Sequence, residues 1–90
     1  MKNEALTSSL KKILVTNLFV EIPEDQIGLD DGLQSVIGLD SVGFLELRVI
    51  CEDQFKIRIS DEDFNADTFR TVNQLASLIS NLQAAQGVAQ

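Results

Sequence analysis

Carboxylates dominate the side chains able to do chemistry in this 90-residue sequence: fourteen Asp and Glu, one cysteine, and no histidine, tryptophan or tyrosine. Without imidazole, neither a Ser-His-Asp nor a Cys-His nucleophile can be assembled, and no imidazole metal site exists. The lone Cys51 can close neither an internal disulfide nor a thiolate zinc cluster. Left unpaired, it fits a reducing, cytoplasmic compartment. The acidic clusters fail as a calcium loop. Setting Gly32 as the loop glycine puts Ile27 and Leu29 in ligand positions and Gly38 where the closing glutamate belongs. Asp30-Asp31 and Asp61-Glu62-Asp63 therefore read as solvated charge, and no metal site is expected. Paired carboxylates acting as acid and base need a cleft and opposed environments, and no pattern here signals them. The expectation is a protein that is not an enzyme.

Ser41 stands apart. It follows Asp40, a good N-cap, at the start of an apolar-periodic run. With Asp40 capping, the serine hydroxyl is free to face solvent where unpaired backbone N–H groups and the positive dipole end favour an attached phosphate. With no histidine in the chain, Lys56 remote in sequence and Asp40 given to the cap, nothing nearby activates the hydroxyl, so Ser41 is expected to be modified by another enzyme rather than to act as a nucleophile itself. Cys51, within an acidic stretch, reads as a small buried hydrophobe.

The elements that must position these residues are helical. Leu6, Leu10, Ile13, Leu14 and Leu18 make one stripe of a helix from about Asn3 to Val20, which Pro23 is expected to end. Residues 21–40 are punctuated by Pro23, Gly28, Gly32 and Gly38 yet rich in Ile, Leu and Val, predicting a long ordered loop over the core. A second helix spans Ser41–Phe55, its apolar face assigned to Val42, Leu45 and Val49 with Leu47, Ile50 and Cys51 beside them. Lys56-Ile57-Arg58-Ile59 is expected to be an extended connector. Ser60-Asp61-Glu62-Asp63 resembles the start of a short helix, and Thr71-Val72-Asn73-Gln74 a capping box opening the last one. That helix carries Val72, Leu75, Leu78, Ile79 and Leu82. The fold predicted is all-α, a small antiparallel four-helix bundle: three main helices, one short helix and a long ordered loop between the first two. Residues 1–84 form the domain and 85–90 a flexible tail.

Charge is distributed unevenly. The net is −7, but residues 21–67 hold thirteen of the fourteen acids against three cations. Such a surface repels phosphate backbones and anionic lipid and suits basic protein partners. No apolar run approaches the ~20 residues of a membrane span. Neither nucleic acid nor membrane is an expected partner.

Gly38-Leu39-Asp40-Ser41-Val42, followed by Leu45-Glu46-Leu47 and Glu52-Asp53-Gln54-Phe55, resembles the attachment signature and second helix of the acyl carrier proteins. The likeness covers most of the chain. It implies a monomeric carrier with 4′-phosphopantetheine, derived from coenzyme A, on Ser41. A phosphopantetheinyl transferase would install the group, whose thiol holds acyl groups as thioesters. Acyl-loading and acyl-processing enzymes of fatty-acid, polyketide or related secondary-metabolite biosynthesis would dock through basic patches against Asp40, Val42, Phe44, Glu46, Glu52 and Asp53. Leu47, Cys51, Phe55, Leu75 and Ile79 are the expected lining of an acyl pocket. Gly43 and Phe44 stand where fatty-acid carriers are often polar, which points equally to a specialised carrier. Peptidyl and D-alanyl carriers share the serine and the bundle. A non-carrier acidic adaptor binding a basic partner is the alternative from a different class.

Overall fold

The computed structural model describes residues 4–88, within which there are three α-helices and no strand. The first, α1, is Glu4–Thr16, with Leu6, Leu10, Ile13 and Leu14 buried along its stripe. It is shorter than the periodicity predicts, and Pro23 is not its stop. The chain reverses earlier: the amides of Asn17 and Leu18 both donate to the Ile13 carbonyl at 2.9 and 3.2 Å, and Val20 donates to Leu14 at 3.0 Å. Phe19 makes this reversal in the left-handed region, at φ 57°. Carbonyls that a helix end leaves unpaired are thereby satisfied. Asn3 lies outside the described residues.

Residues 17–40 contain a single 3-10 turn, Glu24–Gln26, but are anchored throughout. Ile27, Leu33 and Leu39 are buried. The Leu33 amide donates to the Arg70 carbonyl at 2.8 Å, and the Asn73 amide donates to Leu29 at 3.0 Å. Asp31 accepts the Gly28 amide and Asp30 accepts the Asn73 side-chain amide, both at 2.9 Å. These two acids tie the loop together. Gly38, at φ 90°, supplies the turn that a side chain would strain just before the next helix begins.

Helix α2 is Ser41–Phe55, and Asp40 caps it as expected. Its inward face is Gly43, Leu47 and Cys51, with Phe44 and Ile50 half-buried beside them. Gly43 permits close approach: a Cβ there would stand 3.0 Å from Leu39 Cδ2 and 3.3 Å from Asp40 Oδ1. Of the broad apolar face expected from sequence, Leu47 and Cys51 are buried as expected, but the other stripe faces away from the core. Val42, Leu45 and Val49 are 64%, 53% and 62% exposed. Two helical stripes of similar apolarity were on offer, and the one whose glycine lets α2 settle on Leu39 is the buried one.

After Lys56, left-handed at φ 59°, the extended connector buries Ile57 and Ile59 and exposes Arg58. The short helix expected from Ser60 does not form. Ser60 does cap a turn, accepting the Asp63 amide at 3.1 Å. Asn65 Oδ1 then takes the amides of Asp67 and Thr68, each at 2.9 Å, and the Thr68 hydroxyl bonds the Asp63 carbonyl. Local side-chain bonds of this kind compete with a helical ladder. Residues 61–69 are consequently a succession of single turns, and the described residues hold three α-helices rather than the four helices expected.

Helix α3 is Val72–Gln86, opened by Thr71, which accepts the Gln74 amide at 3.1 Å as its capping role predicts. Val72, Leu75 and Ile79 are buried with Ala76 and Gln83, which apolar periodicity alone does not single out. Both α1 and α2 pack against α3. The boundary expected at residue 84 falls inside this helix, which ends at left-handed Gly87, φ 72°. Gln86 reaches back to Arg58, accepting its amide at 2.9 Å and donating to its carbonyl at 3.0 Å. Residues 89 and 90 lie outside the described residues.

Candidate functional site

Ser41 is the first residue of α2 and is exposed. The cap bond runs past it, from the Gly43 amide to Asp40 Oδ1 at 2.8 Å. Among the described residues its hydroxyl makes no hydrogen bond, so it stands unused at the positive end of a 15-residue helix.

Ser41 lines a cleft of about 670 Å³. One wall is Phe44 and Leu45 of α2 with Gly32 and Ser35 of the long loop; the other is Phe64, Ala66, Phe69 and Arg70. The Phe64 and Phe69 rings meet edge to face, with centroids 4.9 Å apart at 85°. Arg48 holds that second wall to α2. Its Nη2 donates to the Ile59 carbonyl at 2.6 Å and lies 3.1 Å from Asp61 Oδ1, and its guanidinium carbon stands 5.0 Å from the Phe64 ring centre. The Asp61 carboxylate is in full solvent, so the carbonyl bond and the aromatic face carry most of the attachment.

The lining residues expected from sequence are elsewhere. Leu47, Cys51, Leu75 and Ile79 are closed into the core, Phe55 is half-buried against it, and none of the five borders the cleft. Burial pushes the Cys51 thiol up to about 12, and the neighbouring Glu52 charge adds to the effect. Among the expected docking residues, Asp40, Val42, Glu46 and Asp53 are exposed, and Phe44 is half-buried in the cleft wall. Glu52 is turned to a structural task, its Oε2 accepting the Ile59 amide at 2.8 Å. Phe64 and Phe69 were missed as wall residues; their i,i+5 spacing follows no helical stripe. Among the described residues no group of three or more His, Cys, Asp or Glu could hold a metal, and no helix is long and apolar enough to cross a membrane.

Comparison with known proteins accounts for this arrangement. Residues 9–79 match the family described as "phosphopantetheine attachment site". The chain belongs to that family. This carrier is 32% identical over 80 residues to the acyl carrier protein of Streptomyces coelicolor, covering 89% of this chain and 84% of that protein. It is also 32% identical over 72 residues to the D-alanyl carrier protein of Streptococcus sanguinis, covering 80% and 89% respectively. The cofactor of such a carrier is a covalently bound 4′-phosphopantetheine. The residues present fit it: an accessible hydroxyl at a helix start, beside a cleft with aromatic and polar walls.

Proposed function

We propose that Ser41 is the attachment residue and that this carrier ferries acyl intermediates among partner enzymes in the cytoplasm. The observation that carries the reading is the free, exposed Ser41 hydroxyl at the N-terminus of α2, on the rim of the cleft. Other serines suit the role less well: Ser60 is engaged in its own turn, and Ser77 lies in the interior of α3, away from any helix start. In the modification step the Ser41 oxygen forms a bond to the β-phosphorus of coenzyme A. Adenosine 3′,5′-bisphosphate leaves, and the serine proton passes to a base of the transferase. Once bound, the group supplies a terminal thiol that holds acyl cargo as a thioester.

Docking falls to the exposed face of α2, where Val42, Leu45 and Val49 form an apolar stripe among Asp40, Glu46 and Asp53. A partner offering basic residues around an apolar centre matches it. The cargo lies in the cleft against Phe44, Phe64 and Phe69. Those aromatic walls favour an apolar acyl chain, as in fatty-acid or polyketide synthesis, which buries more apolar surface against them than the single methyl of D-alanine can. Incubation with coenzyme A and a phosphopantetheinyl transferase tests the reading. The intact mass is expected to rise by one phosphopantetheine, and Ser41→Ala to abolish the rise while keeping its helical circular dichroism. Equal modification of Ser41→Ala would place the attachment elsewhere.

A further inference from the structure

Among the described residues, Arg70 is the one cation bordering the cleft that Ser41 lines. Its backbone fixes its place. The Arg70 carbonyl accepts the Leu33 amide at 2.8 Å, and its own amide donates to the Asp67 carbonyl at 3.4 Å. The side chain is directed as well, Nη2 donating to Asp67 Oδ1 at 2.8 Å. A guanidinium carries five N–H donors in a rigid fork. Among the described residues its side chain makes only that one bond, so most of the fork faces solvent and whatever enters the cleft.

Folding does not account for a long cation at this position. The bond to Leu33 uses backbone atoms alone and would survive any side chain there. The Asp67 pair is 64% and 84% exposed on its two sides, and pairs so exposed contribute little to stability. Charge offers a better reason. Residues 21–67 hold thirteen acids against three cations, and one of the three, Arg48, is engaged with the Ile59 carbonyl. Asp40, the neighbour of Ser41, also borders the cleft. An anion fixed to the Ser41 oxygen therefore stands in a negative field, with a single cation on the walls around it.

We propose that Arg70 is a binding residue for the phosphodiester of the prosthetic group. Its unused N–H groups pair with the phosphate oxygens and draw the root of the arm toward the 64–70 wall, so that the pantetheine enters the cleft rather than leaving past Asp40. The inference rests on Ser41 being the attachment residue. A carboxylate on the cargo has related chemistry but is the poorer occupant. It hangs at the thiol end of the arm and reaches Arg70 only if the arm doubles back. The phosphate is bonded to the Ser41 oxygen itself, and that tether gives it a high effective concentration at the cleft.

The experiment follows the arginine Nε–Hε resonances and the phosphorus resonance by NMR, in apo-protein and in holo-protein prepared with coenzyme A and a phosphopantetheinyl transferase. Conversion to the holo form is expected to shift the Arg70 resonance and to slow its exchange with water. Arg70→Gln should move and sharpen the phosphorus signal, as expected of a phosphate released from its partner. Arg70→Lys should keep part of the wild-type phosphorus shift. Thermal melting gives a cycle in which the fold cost of each variant cancels: the holo-minus-apo difference should be about 2 °C larger in wild type than in Arg70→Gln, and the excess should shrink at high salt. An Arg70 resonance unmoved by attachment, with a phosphorus signal identical in Arg70→Gln, would overturn the inference and leave the Ser41 reading standing. A shift seen with succinyl cargo but absent from the unloaded holo-protein and from butyryl cargo would assign Arg70 to a cargo carboxylate and overturn it too. A wild-type chain left unmodified at Ser41 would remove both readings.

Discussion

The carboxylate of Asp40 and the amide of Gly43, 2.8 Å apart, close the first turn of α2 around Ser41 without using its hydroxyl. The division of labour is testable. Asp40→Ala should lower the unfolding free energy by about 1 kcal/mol, and Asp40→Asn by much less, since either capping side chain can accept the bond. With alanine, Ser41 becomes the nearest hydroxyl available to cap, and phosphopantetheinylation should slow. Urea denaturation and loading kinetics on the same variants check the pairing.

Cys51 gives a pH dependence of definite sign. Its thiol is raised from the ordinary 9.0 to about 12, so between those values the unfolded chain has lost a proton that the folded chain keeps. Stability should be indifferent to this thiol below pH 9 and fall as pH rises above it, with a slope of at most about 1.4 kcal/mol per pH unit. Comparing urea midpoints of wild type and Cys51→Ala from pH 8 to 10.5 isolates the effect. The alanine variant should show the shallower decline. At pH 8 the folded thiol should react with a disulfide reagent far more slowly than in denaturant.

Arg48→Met keeps the aliphatic stem but leaves the Ile59 carbonyl and the Phe64 face without their cation. The expected loss of stability is about 1–3 kcal/mol. Asp61→Asn, which removes only a solvent-exposed partner, should leave the melting temperature where it was. Broadened Phe64 ring resonances in Arg48→Met would mark the loosened cleft wall.

Acylated protein should melt progressively higher as the acyl chain lengthens, up to the point where the cleft is filled. Each methylene fully buried is worth up to about 0.8 kcal/mol. Chemical-shift changes should concentrate at Phe44, Phe64 and Phe69, and Phe64→Ala should flatten the dependence on chain length. Shifts at Leu47, Cys51, Leu75 and Ile79 instead would mean that the core opens to admit the cargo.

What could be read from the sequence was what is decided locally. Asp40 and Thr71 are short polar side chains that act within three residues, and both cap the helices they were expected to cap. The inward stripe of α1 was equally plain, because no competing stripe of leucines exists there. The faces of α2 were not. Val42, Leu45 and Val49 follow a helical repeat as well as Gly43, Leu47 and Cys51 do, and the choice depends on Leu39, which a moment along the helix does not contain. The cleft was out of reach for a similar reason. Its walls come from residues 32–45 and 64–70, brought together by the bond between the Leu33 amide and the Arg70 carbonyl. The turn segment at 61–69 was misread because Ser60, Asn65 and Thr68 bond the local backbone through their side chains, in competition with a helical ladder.

The paired bonds between the Gln86 side chain and the Arg58 backbone, 28 positions apart, also determine where this carrier can be joined to other proteins. A fusion seam cut at residue 84 would delete the glutamine and leave the connector behind α2 with two open backbone groups. A seam placed after Gly87 keeps the clasp shut. Cut there, the unit can be transplanted with its helix ends intact.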